Sequence, residues 1–185
     1  MLILRDTHET DLQAIIDIYN HAVIHTTATF DLEPQTLEQR KQWFVKNEGR
    51  YPFIVAELEG KVVGFSSLSQ FRSKPAYNST AELSIYVDPE CKGQGIGKQL
   101  MQEIIERAKQ KKFHAIVSSI ADGNVVSMKL HEKFGFQRVG SFREIGFKFD
   151  RWIDVHFYQL ILGIHDKTNR NNKTGNDQKS LEAIS

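Results

Sequence analysis

Residues Ala81 to Met101 constrain this chain more than any other stretch, because they read as strand, turn, glycine loop and helix in immediate succession. Leu83, Ile85 and Val87 alternate with Glu82, Ser84 and Tyr86, the period of a strand. Asp88-Pro89 stops it. Gly93, Gly95 and Gly97 then open a helix whose apolar positions, Leu100, Met101, Ile104, Ile105 and Ala108, share one face. Glycines at alternate positions let the backbone approach a bulky anion closely, and the free N–H groups and positive end of the helix face it. The stretch therefore predicts a loop that holds phosphate or pyrophosphate. The plainer alternative is a glycine-rich turn before a helix.

Three phosphate loops compete for these residues. A Walker A loop needs four residues between its glycines and then Lys-Ser/Thr, but Gly93 to Gly97 is one residue short and Gln99 stands where Ser or Thr belongs. The dinucleotide fingerprint needs a third glycine where this chain has Lys98. Lys92-Gly93-Gln94-Gly95-Ile96-Gly97 better resembles Arg/Gln-x-x-Gly-x-Gly/Ala, the pyrophosphate loop of the GNAT superfamily of acyl-CoA N-acyltransferases, with Lys92 keeping the positive charge.

Composition narrows the class. The chain has 185 residues, 40% of them hydrophobic and 25% charged, enough for one domain with a sizeable core. A net charge of +1 gives no global pointer to nucleic acid. One cysteine excludes an internal disulfide, no apolar run is long enough to span a membrane, and the first residues lack the pattern of a signal peptide. The expected location is the cytoplasm, with neither nucleic acid nor membrane as partner.

In chain order, Leu2 to Arg5 reads as a strand, and Thr10 with Gln13 as a capping box before a helical stripe of Leu12, Ile15, Ile16, Tyr19, Ala22 and Val23. The β-branched run near Thr26 ends that helix. Thr36 with Gln39 opens a second helix carrying Leu37, Arg40, Trp43 and Phe44. Phe53 to Leu58 and Val62 to Phe71 form a hairpin about Glu59-Gly60, and a loop to Ser79 leads into the central strand, Thr80 to Val87. A long helix, a buried strand from His114 to Ile120, a helix beginning at Asn124 or Ser127, and strands from Val139 to Phe149 and from Ile153 to Leu162 complete the domain. The order βααβββαβαββ implies an α/β fold with a mixed central sheet flanked by helices. The domain is placed at 1–163, and 164–185 reads as a polar, disordered tail.

The resemblance extends from Leu2 to Leu162. Ile18 to Val23, Thr26 to Phe30, Tyr51-Pro52, Phe71-Arg72 with Ala76-Tyr77, Thr80 with Glu82, Ser84 to Val87, Leu130 to Lys133 with Gly135-Phe136, and Gly146 to Phe149 with Arg151 to Asp154 are similar to one GNAT subgroup, the phosphinothricin and methionine sulfoximine/sulfone N-acetyltransferases. Asp150 departs from it, standing where the subgroup usually has Gly. The resemblance implies a GNAT-type acyl-CoA N-acyltransferase fold and transfer of acetyl from acetyl-CoA to the amino group of a small L-amino acid. It also implies a homodimer, to which Trp152, Phe149 and Trp43 contribute aromatic surface.

The chemistry then assigns candidates. An amine attacks a thioester only when unprotonated, so a base is wanted, and Glu82 at the sheet centre is costly to bury without a role or a partner. The alternative is an ion pair with Arg72 or Lys74. The resemblance gives the oxyanion to the Val87 N–H, sets Ile85, Tyr86 and Val87 beside the pantetheine arm, and gives the pyrophosphate to Lys92, Gly93, Gln94, Gly95, Ile96, Gly97 and Lys98. His131 stands where many family members carry a tyrosine acid; it either protonates the thiolate, hydrogen-bonds the cofactor or fills a core. Asn124 and Ser127 belong to the pantetheine contact or the helix cap, and Lys133 to the phosphates or a solvated face. Arg72 is the cation chosen for the substrate carboxylate, with Tyr77 and Thr80 on its polar head and Phe30 lining the pocket or the core. Cys91 reads as a small filler, and the histidines lack a metal-ligand spacing, so no metal is expected. Two other classes stay open: a non-catalytic acyl-CoA sensor, and acetylation of a protein N-terminus.

Overall fold

The computed structural model describes residues 1–47 and 49–163; the tail expected at 164–185 lies outside the described residues. Seven strands form one sheet in the order β1-β2-β3-β4-β5-β7-β6. They are β1 (Leu2–Asp6), β2 (Phe53–Leu58), β3 (Lys61–Gln70), β4 (Thr80–Val87), β5 (Ala115–Ala121), β6 (Gln137–Lys148) and β7 (Arg151–Ile161). Four helices interrupt them: α1 (Leu12–His25), α2 (Leu37–Asn47), α3 (Ile96–Gln110) and α4 (Val125–Lys133). The element order is the one the periodicities predict. Among the described strands only β4 and β5 pair in parallel, and α3 supplies the crossover that a parallel pair needs.

The period of two on β4 divides the core. Leu83, Ile85 and Val87 join the cluster under α3, with Leu100, Met101, Ile104 and Ile116. Tyr86, on the opposite face, joins a smaller cluster under α1 with Leu12, Ile15, Phe53, Val55 and Phe65. Glu59 and Gly60 both take positive φ in the β2–β3 turn, and so do Phe149 and Asp150 in the β6–β7 turn. Asp150 thus adopts at φ 56° the left-handed conformation that a glycine would take more easily. The β6–β7 ladder shifts register twice, once between Phe142 and Gly146.

Two expectations are corrected. The Thr10/Gln13 capping box does not form. A short 3₁₀ turn over Glu9–Asp11 precedes α1, with the His8 N–H donating to Asp11 Oδ2 at 2.8 Å. Asp11 in turn grips Arg5, and Gln13 donates to Asp17 instead. Trp43 is not surplus aromatic surface: it is half-buried, edge-on to Phe53 at 5.3 Å. The Thr36/Gln39 box does form, with the Thr36 N–H donating to Gln39 Oε1 at 2.8 Å.

Candidate active site

The centre of the site is a gap in the sheet. The register between β4 and β5 covers only Thr80, Ala81 and Glu82 opposite Ala115, Ile116 and Val117. Beyond Glu82 the two parallel strands part, although β4 remains paired with β3 as far as Val87. Backbone direction alternates along a strand. The Asp88 N–H donates back to Val63 O (2.9 Å), and the Ser84 carbonyl is turned toward β3, where it accepts from Ser66 Oγ (3.0 Å). The Ser79 carbonyl instead accepts from the backbone of His114 and Ala115. Odd-numbered residues of β4 therefore aim their amides toward β5, and those of Ile85 and Val87 face the gap.

At the open end of the gap sits the glycine loop. Gly93 and Gly95 hold φ of 81° and 77°, and a Cβ on either would meet no protein atom within 4 Å, so it would project into the space before the helix. Gly95 is the N-cap of α3, whose first N–H groups have no side-chain cap. Lys92, Gln94 and Lys98 are exposed around it, and Ile96 anchors the helix in the core. Gly97 is tighter: a Cβ there would lie 3.6 Å from Leu130 and 3.7 Å from Val87, so the end of β4, the start of α3 and the middle of α4 converge. Lys133 is three residues beyond Leu130 and exposed. Asn124 caps α4, its Oδ1 accepting from the Ser127 N–H at 3.2 Å. These residues fit a pyrophosphate with an extended arm: a positive helix end, an uncrowded glycine backbone, lysines around it, and unpaired amides in the gap beyond.

Glu82 lies at the closed end of the gap. It is half-buried, accepts one hydrogen bond from Ser119 Oγ (3.2 Å), and makes no salt bridge among the described residues. The ion pair with Arg72 or Lys74 is not formed. Burial pushes its carboxyl above the usual range, and Ser119 partly opposes the shift. Sequence reading missed Ser119, although the strand register that sets Glu82 opposite Val117 brings it to the same face. Five residues of strand separate Glu82 from Val87, about 16 Å at the usual rise, so the carboxyl and the Val87 N–H cannot both touch one reacting carbon.

The other candidates divide. Arg72 is exposed over the rings of Phe71 (5.2 Å) and Tyr77 (5.7 Å), with Thr80 half-buried at the start of β4. Phe30 is 38% exposed and lies against Gly146, where an added Cβ would come within 2.4 Å of its ring. His131 is 5% exposed. Its Nδ1 meets Ser127 O at 2.8 Å, its Nε2 meets Ser118 Oγ at 3.0 Å, and its ring is edge-on to Phe136. Burial lowers its pKa. Both nitrogens are thus engaged inside the fold, the placement of a core histidine. Cys91 is a half-buried filler beside the large core. Among the described residues no three His, Cys, Asp or Glu side chains group as metal ligands, and no helix is long and apolar enough to cross a membrane.

Comparison with known proteins agrees with this geometry. The acetyltransferase (GNAT) domain profile matches residues 4–157. An L-methionine sulfoximine/L-methionine sulfone acetyltransferase from Pseudomonas paraeruginosa is 39% identical over 161 residues, covering 86% of this chain and 94% of that protein. A phosphinothricin N-acetyltransferase from Streptomyces coelicolor is 39% identical over 158 residues, covering 83% and 92%. A GNAT superfamily phosphinothricin acetyltransferase from Sinorhizobium meliloti, solved in complex with acetyl-CoA, superposes with a TM-score of 0.85 at 36% identity, covering 88% of this chain and 89% of that one.

Proposed function

This chain belongs to the GNAT acetyltransferase family and is an acetyl-CoA-dependent N-acetyltransferase, and from that membership we propose that it acetylates the α-amino group of a small L-amino acid or analogue of the phosphinothricin and methionine sulfone type. The observation that carries this reading is Glu82: a half-buried carboxyl, without a salt-bridge partner among the described residues, at the closed end of a gap whose open end is a pyrophosphate-type loop. A non-catalytic sensor has no use for such a group.

Acetyl-CoA supplies an activated acetyl thioester. The loop from Lys92 to Lys98 holds its pyrophosphate, the strand from Ile85 to Val87 runs beside the pantetheine arm with the Ile85 amide facing it, and the side-chain amide of Asn124 is placed at the same mouth. Attack is direct, in a ternary complex. The amine loses its proton to Glu82 through water, a route that the strand length between Glu82 and Val87 supports. The nitrogen forms a bond to the acetyl carbon, the carbonyl electrons move to oxygen, and the Val87 N–H donates to that oxygen. Collapse expels the thiolate. Arg72 grips the acceptor carboxylate bidentately, with Tyr77 and Thr80 beside it and Phe30 as a wall. Two copies associate through the β6–β7 hairpin, where Phe147, Phe149 and Trp152 (62% exposed) give an apolar surface, and the protein works in the cytoplasm. Light scattering at micromolar concentration should give twice the monomer mass.

The test is thiol release from acetyl-CoA with free L-amino acids, phosphinothricin, methionine sulfone and a peptide. Release with free amino acids and not with the peptide is expected. Release with the peptide alone would replace this reading by protein N-terminal acetylation.

A further inference from the structure

Residues 26–36, which join α1 to α2, are tied down from every side. Asn20 exchanges hydrogen bonds with the Gln35 backbone at 2.8 and 2.9 Å. Tyr19 OH meets Thr29 Oγ1 and donates to Asp31 Oδ2, both at 2.8 Å, and Gln35 Nε2 donates to the same carboxylate oxygen. Lys148 of β6, 4% exposed, donates from Nζ to Thr29 O at 2.8 Å. Arg40 of α2, 6% exposed, stacks on Tyr19 (4.7 Å) and Trp43 (5.4 Å). Its Nε and Nη2, the side-on fork that fits a carboxylate, have no hydrogen-bond partner among the described residues.

The charges do not balance. Asp31 is the acid that acts on both cations, and the other groups facing Arg40 are the phenols of Tyr19 and Tyr86. Burial raises the pKa of both, Tyr19 to about 12, so they stay neutral at physiological pH. Two cations against one carboxylate leave one positive charge beneath the loop. Lys148 lies on the same face of the sheet as Glu82. Ala121 shares a face with Ser119 and Glu82, it pairs with Val155, and the next inward residue, Ile153, pairs with Gly146, two residues before Lys148.

We propose that Lys148 and Arg40, with Asp31 as the acid acting on both, are specificity-determining residues that select an acceptor carrying a free carboxylate. They do so by holding one uncompensated positive charge behind the wall that bears Phe30. The inference rests on the amino-acid reading of the site and adds, beside the grip of Arg72, a second source of its preference for an anion. A charge in a poorly solvated interior acts over several ångströms, so neither cation has to touch the acceptor.

The experiment compares L-methionine sulfone with its carboxamide. The quantity read is the ratio of their kcat/KM values, acid over amide, normalised to wild type. Lys148→Met should lower it roughly three- to tenfold, the scale of one charge at an effective interior dielectric. Lys148→Arg should restore it. Asp31→Asn should raise it, the opposite sign. KM for acetyl-CoA should stay unchanged in all three. A purely structural latch predicts that Lys148→Met and Asp31→Asn weaken acid and amide alike, and that outcome overturns the proposal even if Lys148→Met folds poorly, because Asp31→Asn tests the sign independently. Wild type inactive on both compounds and on every free amino acid of the panel refutes the amino-acid reading, and this inference with it. Wild type active on the acid, with ratios that do not move, refutes this inference alone.

Discussion

The loop end of the gap and the acceptor side are built in opposite ways. At the loop end the working atoms we propose are backbone amides, supplied by one stretch from Ile85 to Lys98 and shaped by glycine dihedrals. On the proposed acceptor side they are side chains drawn from the α1–α2 and β3–β4 loops as well as from α1, α2, β4, β5 and β6, placed by contacts as distant in sequence as Lys148 to Thr29. A backbone site is robust to side-chain exchange but fails when a glycine is lost. A side-chain site changes its preference one residue at a time.

Glu82→Gln tests the division most sharply. It should lower kcat by roughly 10²–10⁴, the range that general-base catalysis supplies, with acetyl-CoA affinity unchanged. A base must be ionised, so the wild-type rate should rise with pH through a carboxyl titration above the ordinary glutamate range, and the variant should lose that limb. The stability sign follows. The folded carboxyl holds its proton more tightly than the unfolded one, so ionised Glu82 costs stability at neutral pH, and that cost disappears as pH falls through its raised pKa. The variant should melt no lower than wild type at pH 8. A variant that melts lower while keeping near-normal turnover and the same acidic limb would return Glu82 to a structural role.

Gly95→Val should act only on the other end. The new side chain must adopt φ near 77° and stand where the pyrophosphate approaches, so the acetyl-CoA Kd by calorimetry should rise at least about tenfold, equivalent to about 1.4 kcal/mol. Unchanged affinity in a folded variant would remove the loop from the site. Gly146→Ala should be milder and confined to the acceptor side. Its Cβ would come within 2.4 Å of Phe30, and relieving that overlap should cost about 1–3 kcal/mol, read as a lower Tm with a raised acceptor KM and an unchanged acetyl-CoA KM. Ser119→Ala should have the smallest effect. It removes the hydrogen bond that favours ionised Glu82, so the acidic limb should move to higher pH with little loss at the plateau.

The same division governs what could be read before the fold was known. The period of two on β4, the stripes of α1 and α3 and the turn residues carry the element order, because each is a local preference. The glycine loop is legible for the same reason. Glu82 stands out because a carboxylate inside a central strand is anomalous in itself. The partners of Glu82 are not legible, since they depend on a register that sets Ser119 rather than Arg72 within reach. Arg40 falls on the inward stripe of α2 with Trp43, yet nothing local tells an enclosed cation from a solvated one. Asp11 displaced the Thr10 cap because Arg5, on the preceding strand, holds its carboxylate at 2.7 and 2.9 Å. His131 is ambiguous in sequence because a histidine with an acid's position and one with a core position are written alike until Ser118 is found beneath it.

The shifted register of β6 matters beyond the active site. β6 is the outermost strand on its side of the sheet, and an outermost strand carries a row of backbone groups onto which a foreign strand can be added. Between Phe142 and Gly146 that row is broken. Glu144 turns to φ 51° and its N–H donates sideways to Asp154 Oδ1 at 2.8 Å, while Arg143 and Glu144 bring charge to the break. An incoming strand finds no long uninterrupted template there. The kink thus guards a long, aromatic-rich margin against fibrillar stacking between chains, a protection that a perfectly regular hairpin would lack.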